Sequence, residues 1–231
     1  MSRLLVTLIV ASLNGERFLR ETLESAFAQD MDSYEVVFVD DGSTDGTAAI
    51  ARSYPVRYIH QENTGLPSAR NAGLAVARGD YLAFLDDDDL LPPEKLRVQS
   101  SYLEAHPETG CVLGRQEWIF EEGQEPANLQ RDPIFGELGG IAMGTAMIRR
   151  SILAELGGFD PSYSYAEDRD LFVRLLEHGV EIEVLPEIVL RRRMHGSNMT
   201  LHPPENHPLL RSLKEKLDRE RGAAPPPQGA S

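Results

Sequence analysis

The chain has 231 residues, of which 41% are apolar, enough for one large α/β domain or two small ones around a sizeable core. Its 23 Lys and Arg against 37 Asp and Glu give a formal charge of −14, which disfavours a nonspecific electrostatic grip on nucleic acid or anionic lipid. The single cysteine, Cys111, excludes an internal disulfide and fits a reducing compartment. As a small hydrophobe at a strand start it is expected to be buried.

The N-terminal run MSRLLVTLIVASLNG imitates a short signal peptide, but Thr7 interrupts it, and it reads as the first core strand. No other apolar run approaches the roughly 20 residues that span a bilayer. We therefore expect a soluble, cytoplasmic body with at most peripheral association at the inner face of a membrane. Residues 4–10, 34–39, 56–59 and 81–85 are short and rich in Val, Ile, Leu and aromatics, as in strands of a parallel sheet covered on both faces. Between them lie helical patterns. Residues 17–28 carry Leu19, Leu23, Ala26 and Phe27 at helical spacing, while residues 44–52 and 68–77 are small, Ala-rich helices able to sit close to a sheet.

This alternation predicts right-handed crossovers and a doubly wound α/β sheet, with ligands bound beyond the carboxyl ends of its strands. Beyond a helix at 93–106, the rhythm becomes irregular. Residues 111–120 read as a strand, 121–133 as a polar loop, and GELGGIAMGTAMIRR (136–150) as strand or irregular backbone passing close to a ligand. AEDRDLFVRLLEHG (166–179) reads as a helix burying Leu171, Phe172, Leu175 and Leu176, with Gly179 ending it. Two short strands follow at 181–185 and 189–194. A single domain is expected over 1–203, with a nucleotide-binding half to about 110 and an acceptor half beyond it. A charged helix is expected within 204–221, then a Pro/Gly/Ala tail to 231 that cannot pack a core.

Two strand ends are acidic: FVDDGSTDG (38–46) and FLDDDD (84–89). In the first, glycine permits a tight turn and Ser43 or Thr44 can cap the next helix, but one cap does not use two aspartates. A carboxylate after a strand also suits a ribose hydroxyl or a base N–H. In the second, Asp86 and Asp88 are two apart and can turn toward one point, leaving Asp87 pointing away. Such a cluster is either a solvated turn or the oxygen-rich site that a hard divalent cation selects. In so acidic a chain, Mg²⁺ or Mn²⁺ bridging carboxylate to phosphate would reverse the repulsion of an incoming diphosphate.

The strings LIVASLNGERFLRETLESAFAQ, FVDDGSTDGT, NTGLPSARNAGLAVARGDYLAFLDDDDLLPPEKL, GGFDPSYSYAEDRDLFVRLLEHG and MHGSN stand in the order found in family 2 glycosyltransferases. The resemblance spans nearly residues 4 to 200 and implies a GT-A fold, a nucleotide-sugar donor, a divalent cation and inversion at the anomeric carbon. Position by position, it implies that Asp40 and Asp41 contact the nucleoside and Arg70 the nucleotide or diphosphate. Asp86 and Asp88 would form the Asp-x-Asp element with Asp87 grouped beside them at the donor, Asp88 as metal ligand and His195 as a further metal or diphosphate contact. Ala11, Leu13 and Asn14 fall among the donor-binding positions. Members often carry an aromatic before the asparagine, and its absence here leaves UDP and dTDP sugars both open.

Inverting transfer needs a base to remove the acceptor hydroxyl proton as the sugar–phosphate bond breaks, and charge stabilisation on the leaving diphosphate. AEDRDL supplies carboxylates opening a helix: Asp168 is the expected base and Glu167 its orienting partner or substitute, although acidic residues also suit a helix's first turn through the dipole alone. The acceptor would be a glycan, a lipid-linked sugar or a small molecule. Arg191, Arg192 and Arg193 read as a solvated strand edge, Trp118 as core beside Phe120, and GGIAMGT either as a glycine-rich hairpin or as backbone offering N–H groups near the donor sugar. Rival readings are a sugar-phosphate nucleotidyltransferase, which would want a Gly-rich basic loop after the first strand, and a sugar-nucleotide-binding protein without turnover.

Overall fold

The computed structural model describes residues 5–121, 142–163, 167–196 and 198. The expected loop at 122–133, the glycines at 136–141 and the C-terminal helix and tail lie outside these residues. Residues Met1–His195 form one compact unit and Gly196–Ser231 a second. Among the described residues no helix is long and apolar enough to cross a membrane.

Among the described residues seven strands form one sheet in the order β3-β2-β1-β4-β6-β5-β7. They are β1 (Val6–Ser12), β2 (Tyr34–Asp40), β3 (Arg57–His60), β4 (Tyr81–Asp86), β5 (Thr109–Phe120), β6 (Ala146–Arg149) and β7 (Glu181–Met194). β1 is buried along its whole length, which its near-continuous apolar sequence requires of a strand covered on both faces. It pairs in parallel with β2 and β4, whereas β6 runs antiparallel between β4 and β5, and β7 runs parallel to β5.

Strand alternation splits the core into two layers. Val6, Leu8 and Val10 face α1 (Leu19–Phe27) and α4 (Lys95–Ala105) through Leu19, Leu23, Leu96 and Leu103. On the opposite face Ile9 joins Leu82 and Phe84 against α5 (Arg150–Glu155) and α6 (Glu167–Glu177), through Leu153, Leu171, Phe172 and Leu175. Beside them, Ala11, Val37 and Val39 pack on Ala69 of α3 (Leu66–Val76). A Cβ at Gly73 would lie 2.6 Å from Ile9 Cγ2, so the small residues of α3 do permit the close approach that its composition predicts.

Several details depart from expectation. The two predicted strands after α6 are one 14-residue strand, β7, because β-bulges in its ladder with β5 absorb the irregular stretch around Pro186. The six-residue α5 had no clear periodicity to announce it. Leu176 is 64% exposed beside Val173 at 52%, since the apolar stripe of α6 is narrower than four residues. Trp118 is half-buried on the extended end of β5 rather than core, with the Arg192 guanidinium 5.4 Å from its ring centroid.

Register decides what this sheet can hold. Ser12 is level with Asp40, and Ala11 is level with Asp86, so the two acidic strand ends flank the end of β1 on either side. This is the crevice where a doubly wound sheet receives ligands.

Candidate functional site

The first acidic end is built into the loops around it. Asp40 accepts hydrogen bonds from Ser43 N–H at 2.8 Å and from the Tyr58 hydroxyl. Burial pushes its pKa up, but these hydrogen bonds and nearby His60 outweigh it and hold the carboxyl below its usual range. Asp41 takes Gln61 Nε2 at 2.7 Å and Thr64 N–H at 3.0 Å on one oxygen, and Gly65 N–H at 2.9 Å on the other. It therefore shapes the turn that launches α3. The start of α2 (Thr47–Ala51) is served by Asp45 on Thr47 N–H and Glu16 on Gly46 N–H, not by Ser43 or Thr44.

Those same contacts stitch the end of β1 to this loop. Asn14 adopts a left-handed conformation with φ 58°, donates its N–H to Ser43 Oγ and accepts from Thr44 N–H. Ala11 is buried toward α3, and Leu13 is 43% exposed at the crevice rim. Glu16 and Asp45 went unnoticed in sequence because a lone carboxylate in a loop carries no periodic signal.

The four aspartates at the second end take four different directions. Asp86, the last residue of β4, accepts from Arg70 Nη2 at 2.8 Å. Asp87 turns away from both neighbours and bonds the Ser12 hydroxyl, while its own carbonyl accepts from Thr22 Oγ1 at 2.9 Å. Burial pushes its pKa up to about 7. Grouped with the donor-binding positions by resemblance, Asp87 instead closes the turn against β1, and a Cβ on Gly15 would overlap its carboxylate. Asp88 Oδ2 lies 2.9 Å from His195 Nε2, and the His195 ring packs against Phe18 at a tilt of 33° with ring centroids 4.6 Å apart. Burial and then the charge of Asp86 push the Asp88 carboxyl upward against the pull of His195. Asp89 is buried and accepts the Arg193 N–H of β7 at 2.8 Å.

Arg70 occupies the centre. It is buried, with Nη1 2.9 Å from Glu167 Oε1 and 2.6 Å from Asp168 Oδ1, and Nη2 on Asp86. Burial alone would weaken its charge, but Asp168, Asp86 and Glu167 outweigh this and hold the guanidinium above its ordinary value. Nη1 and Nη2 are thus engaged by three carboxylates, where the resemblance implied a contact with the nucleotide or diphosphate. The Met143 N–H, in the 3₁₀ turn Met143–Thr145, donates to the other oxygen of Asp168 at 2.9 Å. The backbone of GGIAMGT therefore offers an amide to the expected base. Burial raises the pKa of Glu167 despite the pull of Arg70.

Asp88 and His195 offer a carboxylate oxygen and an imidazole nitrogen, a donor set suited to Mn²⁺ or Mg²⁺ when substrate phosphates and water complete the shell. Among the described residues no group of three or more His, Cys, Asp or Glu forms a full protein cage. The raised pKa of Asp88 marks surplus negative charge at the same point, which a cation would relieve.

Comparison with known proteins fits this geometry. The family described as Glycosyl transferase family 2 matches residues 7–157. A chondroitin synthase of Escherichia coli is 30% identical over 93% of this chain, which corresponds to 33% of its own length. A mannosyltransferase of Pyrobaculum calidifontis in complex with GDP-Man and Mn²⁺ superposes with a TM-score of 0.70 at 25% identity, covering 84% of this chain and 58% of that one. TarS of S. aureus, in complex with UDP, shares the fold with a TM-score of 0.67 at 24% identity, over 82% of this chain and 60% of that one. The chain spans between about a third and two thirds of the length of the first curated relatives it matches.

Proposed function

This chain belongs to glycosyl transferase family 2, and on that premise we propose that it moves a sugar from a nucleoside-diphosphate sugar to an acceptor hydroxyl, with inversion and with Mn²⁺ or Mg²⁺. The observation that carries this reading is the convergence of Asp86, Glu167 and Asp168 on Arg70 beyond the end of β4, with the Asp88–His195 pair opening from the same acidic turn. A bound cation would neutralise charge on the departing diphosphate, held by Asp88 and His195.

Asp168 is the base. Each of its oxygens already accepts one hydrogen bond, from Arg70 and from Met143 N–H, which fixes the plane of the carboxylate. A carboxylate has about four acceptor directions, so room remains for an acceptor O–H. That hydroxyl loses its proton to Asp168 as its oxygen bonds the anomeric carbon, while the sugar–phosphate electron pair leaves on the diphosphate. Arg70 bonds Asp168 through Nη1 and Asp86 through Nη2 and so holds the two carboxylates in register with each other. Glu167 shares Arg70 and orients the pair. Leu13, Asn14 and the Asp41 turn border the nucleoside end of the crevice.

Solved neighbours hold UDP-GlcNAc and GDP-Man, so GDP sugars join UDP and dTDP sugars among the donors to be tried. The acceptor is a glycan, a lipid-linked sugar or a small molecule. A thermal-shift panel of UDP, dTDP and GDP sugars with and without Mn²⁺, followed by product analysis, tests the proposal. Metal-dependent stabilisation with release of nucleoside diphosphate supports it. Pyrophosphate release identifies a nucleotidyltransferase instead, and binding without any release identifies a module without turnover.

A further inference from the structure

Lys95 is fully buried at the start of α4, and its two hydrogen-bond acceptors are both neutral: Gln99 Oε1 at 2.9 Å and the Gly144 carbonyl at 2.8 Å. An ammonium in such a place is expensive, and burial pushes its pKa down to about 7. A leucine or methionine would fill the core at less cost. Gln99 is equally buried and donates through Nε2 to the Thr145 carbonyl at 2.9 Å and the Val112 carbonyl at 3.3 Å.

The acceptors explain the expense. Gly144 and Thr145 belong to the 3₁₀ turn whose first amide, Met143 N–H, holds Asp168 Oδ2. Met143, Gly144 and Thr145 are all buried, and a Cβ on Gly144 would meet Leu190 Cδ2 at 2.9 Å, so the turn is pressed onto the sheet from one direction and tied to α4 from another. One end of this chain of contacts is the core of α4, and the other is the carboxylate assigned as base.

We propose that Lys95 and Gln99 are positioning residues for Asp168, acting through the 142–145 turn by pinning the Gly144 and Thr145 carbonyls and so aiming the Met143 amide. This rests on the reading of Asp168 as base. They touch neither donor nor acceptor, so their removal lowers kcat and leaves donor affinity alone. A misplacement of the base by a fraction of an ångström to one ångström corresponds to a roughly ten- to hundredfold loss.

The backbone offers a direct test. Ala142 has φ −115° and ψ 141°, the extended geometry that a residue before proline requires, and Met143 opens the helical turn, where proline is tolerated. Met143→Pro deletes the N–H that holds Asp168; Met143→Leu keeps it. Lys95→Met and Gln99→Leu remove the struts beneath. Nucleoside diphosphate release from UDP, dTDP and GDP sugars with Mn²⁺, donor Kd and Tm are measured for each variant and for Asp168→Asn.

We expect Met143→Pro, Lys95→Met and Gln99→Leu to lose roughly tenfold or more in kcat with donor Kd within about twofold, and Met143→Leu to stay within about twofold in both. Wild-type kcat in Met143→Pro and in either strut variant, beside a collapsed Asp168→Asn, overturns the positioning role alone. Full turnover in Asp168→Asn, or no release from any donor, overturns the function on which it rests. If Lys95→Met fails to fold, Gln99→Leu and Met143→Pro decide the matter.

Discussion

Arg70 Nη1 lies 2.6 Å from Asp168 Oδ1, and the same buried guanidinium also holds Glu167 and Asp86. One cation thus serves three carboxylates drawn from β4 and α6. Replacing Arg70 by Met strands these charges, and the expected cost is about 3–5 kcal/mol in urea unfolding. Arg70→Lys should recover only part of it, because an ammonium is a single point charge and cannot reproduce the planar fork. An Arg70→Met chain of wild-type stability would show that the carboxylates do not depend on it.

The two ends of the site should separate cleanly by mutation. In Asp88→Asn the Mn²⁺-dependent part of the donor thermal shift disappears, while the shift without metal stays. In Asp168→Asn the shift survives and turnover falls by about 10²–10⁴-fold, the usual worth of a positioned general base. An Asp88→Asn chain with an unchanged Mn²⁺ response would remove Asp88 from the metal site.

Asp41 accepts three N–H groups across Gln61, Thr64 and Gly65. Asn in its place must turn an N–H toward one of these donors, and about 1–3 kcal/mol of stability should be lost. Hydrogen exchange of the Thr64 and Gly65 amides would accelerate with it. Lower donor affinity at unchanged stability would instead favour the direct nucleoside contact that the family resemblance implies.

The buried Lys95 gives a pH signature with a definite sign. Its pKa is about 7 in the fold against an ordinary 10.5, so above pH 7 the folded chain has shed a proton that the unfolded chain keeps. Stability therefore rises with pH through this window. Cys111 acts in the opposite sense above pH 9, because burial pushes its thiol from 9.0 to about 12 and the unfolded chain ionises first. Wild type minus Lys95→Met in unfolding free energy should grow by about 1–3 kcal/mol between pH 7 and 9. A flat difference would mean that Lys95 keeps its ordinary pKa in the fold.

Much of this was legible because it repeats with a period or abuts a strand. The four N-terminal strands and their helices follow from apolar runs and helical spacing, and the aspartates stand out because they terminate such runs. What could not be read is what each carboxylate faces. Asp86 and Asp87 are chemically alike in sequence, yet the pleat and the following turn send one to Arg70 and the other to Ser12. The contacts of Arg70 with Glu167 and Asp168 gave no sign in sequence because those partners lie far along the chain. Lys95 and Gln99 were invisible for the opposite reason: on an amphipathic helix, polar residues read as solvent-facing, and only tertiary packing buries them. Leu176 misled in the same way, as an apolar residue beside a stripe it does not join.

The placement of β6 has a consequence for how the site is held. It follows β5 in the chain yet must slide between β4 and β5, reversing direction to pair with both. Such distant pairing carries a loop-closure cost in entropy. The 3₁₀ turn immediately precedes β6, so the Met143 amide that anchors Asp168 is set by how β6 seats between its two neighbours. A slip of β6 by one residue would therefore shift the Met143 amide away from Asp168 as well as reversing which side chains face the core.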